Sequence, residues 1–308
     1  MYKAIFFGLA LSLSLSATGQ QIAQYTQFFS NKLVLNPAYA GSRDALSIVG
    51  LVRSQWTGFT GAPNTQTLTV HTPFARSTSG IGLTLLHDRI GITDNLQLTG
   101  SYAFRIDLGK NTHLALGISG EIQRRQMDWA ASNPLDVDDA AIPWTQRNLV
   151  LPNFGAGIYL HSRRFYLGAS APRMLETELN YYPSGSNLQS LALLRRHFFG
   201  MAGLNIPLAV GVELRPQVLV KYVANAPVEF DLNLGLLLKE RFWFGGTLRT
   251  QDSFDVFFQY WINQQFRFGY AFDLTLTRLN PYNYGSHEIM LGIDLGRRRK
   301  GLVHPRYF

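Results

Sequence analysis

The sequence predicts an all-β protein: a closed antiparallel transmembrane β-barrel of about 14 strands, with an export signal ahead of it and a short basic tail behind. Three observations carry this. Apolar and polar side chains alternate along most of the chain, the alternating runs are long, and short connections take turns with long ones.

The alternation is plainest near the C-terminal end. Val228, Phe230, Leu232, Leu234, Leu236 and Leu238 fall on one face, against Glu229, Asp231, Asn233 and Gly235 on the other. Phe266, Phe268, Tyr270, Phe272, Leu274 and Leu276 repeat the pattern opposite Arg267, Gly269, Ala271, Asp273 and Thr275. Leu114, Leu116, Ile118 and Ile122 do so opposite His113, Ser119 and Glu121. A side-chain period of two is the signature of a strand.

Taken in order, the runs are 45–56, 64–73, 79–88, 95–106, 112–126, 150–161, 164–171, 196–205, 210–223, 227–239, 241–250, 253–262, 264–276 and 286–296. Strands of soluble proteins are usually about 5–6 residues long, whereas a tilted membrane-crossing strand needs about 9–11. An even count returns the chain to the side from which it started. Ser162-Arg163, Lys239-Glu240 and Asn263-Gln264 close hairpins after strands six, ten and twelve. The longest gaps, 127–149 and 172–195, follow strands five and seven. Short periplasmic turns and longer external loops give this parity.

One face of nearly every strand is aliphatic or aromatic, and suits lipid; Gly and charge lie on the other. Arg53, Arg105, Glu121, Glu213, Arg215, Lys221, Glu229, Asp231, Arg249, Arg267, Asp273 and Asp294 are thereby assigned to the lumen, as a salt-bridged lining of mixed sign. Trp56, Phe242, Trp243, Tyr260, Trp261, Tyr282 and Tyr284 lie near strand ends, where aromatic girdles form. A lumen of this strand number must be filled or conduct water.

The flanking segments have their own signatures. Lys3, the Ser-diluted apolar stretch from Ala4 to Ala17 and the small residues Ala17-Thr18-Gly19 read as a signal peptide over 1–19. Residues 20–44 form a turn-rich approach to the first strand, in which Pro37 fixes φ and Gly41 permits unusual angles. Two readings of it stand: a plug-like or rim-hugging segment, or a docking site on the periplasmic side. The barrel occupies 45–296 and the tail 297–308. Of the formal charge of +8, Lys3 supplies one; Arg297, Arg298, Arg299, Lys300 and Arg306 supply five, so residues 20–296 are nearly balanced. The tail residues Arg297, Arg298, Arg299 and Lys300 are expected to meet anionic lipid headgroups or an acidic partner.

The residues argue against catalysis and against a cofactor. The absence of Cys removes disulfides, thiolate-ligated metals, thiol nucleophiles and a lipoprotein acyl anchor. Seven scattered His residues come without a Gly-x-Ser-x-Gly elbow or a His-Glu-x-x-His pair, and neither a P-loop nor a dinucleotide fingerprint is present. His287-Glu288 reads as a hydrogen-bonded pair rather than a metal site, which needs more ligands. Asp136-Val137-Asp138-Asp139 reads as an acidic, solvated loop. Basic residues do not form an aromatic-interleaved groove, so nucleic acid is not expected as a partner.

Ordered blocks along the mature chain resemble the PorP/SprF family. They begin with Gln24-Tyr25, Phe28-Phe29, Asn31, Leu33 and Leu35-Asn36-Pro37-Ala38-Tyr39-Ala40-Gly41. Arg53-Ser54-Gln55-Trp56, Gly58, Gly61-Ala62-Pro63 and Thr65 follow. Then come Arg196-His197, Leu214-Arg215-Pro216 with Lys221-Tyr222, Asp231-Leu232-Asn233, Trp243-Phe244-Gly245 and Arg249. Gly269-Tyr270-Ala271-Phe272-Asp273 and Gly285-Ser286-His287-Glu288 complete the set. Region 127–195 matches least. The resemblance implies an outer-membrane barrel of the type IX secretion system of Bacteroidetes. It would work with the periplasmic ring of lipoprotein and partner subunits, or with a sorting-domain surface protein or gliding adhesin reached through loops 127–149 and 172–195. The other readings left by the residues are a passive porin, a hydrophobic-substrate transporter barrel and, more remotely, a soluble periplasmic β protein.

Overall fold

The computed structural model describes residues 22–74, 78–109, 111–132, 147–179 and 193–296. The expected signal peptide over 1–19, the tail residues Arg297, Arg298, Arg299 and Lys300, the acidic stretch Asp136–Asp139 and the middles of the two longest loops lie outside the described residues.

Fourteen strands form the wall. They are β1 (Leu46–Ser54), β2 (Asn64–Pro73), β3 (Ser79–Ile90), β4 (Thr93–Gly109), β5 (Thr112–Met127), β6 (Arg147–His161) and β7 (Phe165–Arg173). The second half holds β8 (His197–Leu204), β9 (Val212–Val223), β10 (Glu229–Leu238), β11 (Phe242–Arg249), β12 (Ser253–Trp261), β13 (Phe266–Thr275) and β14 (Ser286–Leu295). Each pairs antiparallel with its chain neighbours, and β1 pairs with β14 from Leu46↔Leu295 to Ser54↔His287. The ring is closed, so every stave has a hydrogen-bonding partner on both edges, as hydrocarbon requires.

Observed and expected strands agree closely, and the differences have local causes. The first strand stops at Ser54 because Trp56 takes a φ of 44°, a turn conformation. β4 outruns the expectation at both ends, and β5 by one residue at its end. Residues Ile206–Ala209, expected as a connection, continue β8 past Asn205 and pair with the start of β9. A two-stranded ribbon, Thr177–Glu178 with Leu193–Leu194, stands outside the wall between β7 and β8. Its Leu179 and Leu194 bury against Leu151, with Met127, Trp129 and Leu149 packed around them, so the bases of the two long loops share a small apolar core.

The outer face is predominantly apolar, with Leu83, Leu98, Ile118, Phe154, Leu232, Val256 and Leu291 among its exposed side chains. The inner face differs from the expectation in one sector. Trp243 and Trp261 are only 4% and 6% exposed and point into the barrel, not into a girdle. Parity explains it: their neighbours Phe242 and Tyr260 take the outward positions and stack on each other at 5.0 Å. The lumen therefore contains an apolar core as well as ion pairs, and that core surrounds the chain's own N-terminal segment.

Candidate functional site

Residues 22–44 run through the lumen. From Arg43 near the foot of β1 the segment passes three 3₁₀ turns, Pro37–Tyr39, Lys32–Val34 and Phe28–Ser30, and ends at Ile22 near the end that carries the long loops. Nearly every side chain from Tyr25 to Gly41 is buried. A short turn-rich segment can follow the inside of a barrel because its backbone groups find partners on the wall and within the turns themselves.

Two sectors of wall hold it by different means. Around β1, β9–β11, β13 and β14 the grip is ionic. Glu288 accepts hydrogen bonds from the backbone N–H groups of Thr26 and Gln27, each at 2.8 Å. The Thr26 hydroxyl donates to Asp273 at 2.6 Å and accepts from Arg53 at 2.8 Å. Arg53 pairs with Asp273 at 2.6 Å and with Glu288 at 3.4 Å. Arg249 reaches Asp231 at 3.1 Å and donates to the Tyr25 carbonyl at 3.3 Å, while Lys221 joins Asp231 at 3.0 Å. Removing one member of such a buried set strands the others without compensation, at about 3–5 kcal/mol.

Across β3–β7 the grip is steric, and glycine supplies the room. A Cβ on Gly117 would stand 2.2 Å from the Ala38 nitrogen, and one on Gly80 would stand 2.5 Å from the Ala40 carbonyl oxygen. One on Gly157 would stand 2.2 Å from the Asn36 side chain. Asn36 itself caps the Pro37–Tyr39 turn by accepting from the Ala38 N–H at 2.9 Å, and donates to the Ile158 carbonyl at 2.9 Å. Ser170 donates to the Leu35 carbonyl at 2.7 Å, and Gly41 donates to His71 Nδ1 at 3.1 Å. Gly41 has a φ of 68°, and its close approach to Gly80 leaves no room for a side chain.

Between these sectors lies the apolar core. Phe29 packs 4.4 Å from Trp243 and 4.8 Å from Phe257, and Trp243 stacks on Trp261. Lys32 is fully buried beneath three rings: its Nζ is 3.5 Å from the Tyr166 centroid, with those of Tyr39 and Tyr159 at 5.7 and 5.9 Å.

The motif residues separate into three groups. Asn36, Pro37, Ala38 and Gly41 lie on the glycine bed; Arg53, Lys221, Asp231, Arg249, Asp273 and Glu288 form the ionic clamp. Arg215 and Trp243 contact each other in the lumen at 5.2 Å, and His197 is buried in the inner wall toward the other end of β9, opposite Val223. The remainder do not join them. Trp56, Gly61, Ala62 and Pro63 shape the β1–β2 loop, where the Gly61 carbonyl accepts from the Gly91 N–H at 2.9 Å. Pro216 faces outward from β9. His287 and Glu288 are not a pair: successive strand residues face opposite ways, so His287 bonds Tyr270 at 2.7 Å outside while Glu288 holds the lumen segment. All twelve charges assigned to the lumen are there with opposite partners, Glu121 with Arg173 at 2.8 Å and Arg267 with Asp294 at 3.9 Å among them. Sequence reasoning missed Lys32, Gln27 and Gln259. Lys32 lies in a turn outside the alternating runs, and the two amides, which bond each other at 2.8 Å, are 232 residues apart.

Comparison with known proteins agrees with this architecture. The family described as "Type IX secretion system membrane protein PorP/SprF" matches residues 17–293. No functionally curated protein matches the sequence. Among solved structures, the Ralstonia pickettii toluene transporter TbuX is similar at 8% identity and a TM-score of 0.51, over 94% of this chain and 98% of that one. The monoaromatic hydrocarbon channel CymD is similar at 10% identity and a TM-score of 0.50, over 93% and 97%. The Acinetobacter baumannii outer membrane protein Omp33 matches over 82% of this chain and 99% of its own, at 8% identity and a TM-score of 0.43. At these identities the likeness concerns the barrel alone. The match across nearly the whole chain identifies the protein as a member of the PorP/SprF family, membrane components of the type IX secretion system.

Proposed function

We propose that this protein is a non-enzymatic outer-membrane component of type IX secretion that works by binding at its two ends. Its short-turn end meets the periplasmic ring, and its loop-bearing end meets a cognate sorting-domain surface protein or gliding adhesin for export or retention. The observation that carries this reading is the filled lumen. A barrel whose interior is occupied from Tyr25 to Gly41 by its own chain, with charge-assisted hydrogen bonds at one end and a glycine bed at the other, leaves its rims as working surfaces. The small core shared by the two long loops supports the external rim as a structured surface rather than a fringe.

The passive-porin reading requires a continuous aqueous path. The channel and transporter barrels similar in outline share only the fold, and the threaded segment stands against it. Deleting the gene and comparing the surface proteome separates the readings. Loss of one or more sorting-domain proteins from the surface is expected. Unchanged export and retention of all of them, with altered uptake of a small solute, contradicts the proposal.

A further inference from the structure

Three turns at the short-turn end are polar, as turns in water should be: Ser162-Arg163-Arg164, Lys239-Glu240-Arg241 and Asn263-Gln264-Gln265; two others each expose one large apolar side chain, Phe74 and Leu108. The β8–β9 hairpin breaks the rule. Its tip reads Ile206-Pro207-Leu208-Ala209-Val210-Gly211, and every residue is exposed, Leu208 to 58% and Val210 completely. The pairing of β8 with β7 ends at Leu204↔Phe165, and the Asn205 N–H closes on the Arg164 carbonyl. The tip thus runs three or four residues past its neighbour, roughly 10 Å along the strand. Ile206↔Leu214 and Pro207↔Glu213 pairing keeps it an ordered ribbon, and Gly211, with a φ of 74°, turns it.

Membrane burial does not account for this. A lipid-facing extension would be apolar on its outer side only, as the wall is, but Pro207 and Ala209 on the other side are apolar and exposed too. On the β7 side the tip also extends beyond Arg163 and Arg164, exposed cations of the kind that mark headgroup level, while on the β10 side its Gly211 lies level with Lys239, whose N–H donates to the Gly211 carbonyl at 2.6 Å. The β4–β5 hairpin projects from the same end and carries Asp107, Asn111 and His113 beside the exposed Leu108 near its tip, so projection alone does not demand a wholly apolar ribbon.

We infer that the Ile206–Gly211 hairpin is a docking peg for a periplasmic protein that offers an apolar cleft bordered by acidic side chains. The peg supplies apolar area on both faces. Arg163, Arg164, Lys239 and Arg241 around its base, against Glu240 and a Glu213 already paired with Arg215 at 2.7 Å, supply the charge that selects an acidic border. The inference rests on the proposed binding role of the short-turn end and assigns it a place and a chemistry.

The test uses the full chain in isolated native envelopes. Because the protein has no Cys, Val210→Cys places a single thiol at the tip for a maleimide–diazirine cross-linker. A heat-dependent shift on gels verifies that the barrel is folded. An adduct is expected whose mapped peptide is apolar with Asp or Glu beside it. Its yield should fall at least fivefold when Arg164→Glu and Arg241→Glu are added. An adduct only to phospholipid or to another copy of this chain overturns the inference. So does an adduct without acidic neighbours, one indifferent to charge reversal, or none at all. Gene deletion tests the secretion role separately: a silent peg in cells that need the protein for export sinks only the peg.

Discussion

The two sectors that hold the lumen segment solve one problem with different physics. The ionic sector recognises polar atoms of Tyr25–Gln27 through Arg53, Arg249, Asp273 and Glu288, groups buried at great desolvation cost and stable only together. The glycine sector recognises shape: it removes side chains so that Asn36–Gly41 can lie directly on the strand backbones. The first should fail by stranding charge, the second by collision.

Arg249→Ala should have the largest effect. It leaves Asp231, Asp252, Asp255 and Asp273 without their shared cation, at about 3–5 kcal/mol, measured by urea titration of the refolded protein in detergent. Arg249→Lys should recover only part, because a point charge cannot reach several partners as a guanidinium does. Gly117→Val should rank next, at about 1–3 kcal/mol or more, because its Cβ meets backbone that cannot rotate away. If the sectors are distinct in kind, raising salt should leave the Gly117→Val deficit unchanged.

Asn36→Ala removes a cap and a bond to the wall, and should cost about 1–2 kcal/mol in the same assay. Tyr270→Phe, which deletes the outward bond to His287, serves as the lipid-face comparison and should change stability by about 1 kcal/mol or less. A Tyr270→Phe loss equal to that of Arg249→Ala would break the distinction between a structural lumen and a passive outer face.

The same contrast shows what could be read in the sequence. Strand number, order and parity were legible because a period of two sustained over about ten residues fits a strand and not a helix. Arg53, Asp231, Arg249 and Asp273 were legible as inward charges, because charge on the lipid face is costly, whereas Glu288 stood out only beside His287. The convergence of Arg53, Arg249, Asp273 and Glu288 on Tyr25–Gln27 was not legible, since the contacts span up to 262 residues of chain. Parity places Gly100 on the lipid face and Gly117 on the lumen face, but nothing local says that a buried segment lies directly on Gly117. Trp243 and Trp261 were misplaced because aromatics near strand ends suit a girdle and a lumen core equally, and only register separates them.

The central claim is that the N-terminal segment fills the barrel, and single-channel recording in a planar bilayer tests it most directly. The intact protein should be electrically silent, and a variant lacking residues 22–43 that still shows the heat-dependent gel shift should open a steady conductance. Equal conductance from both would contradict the account.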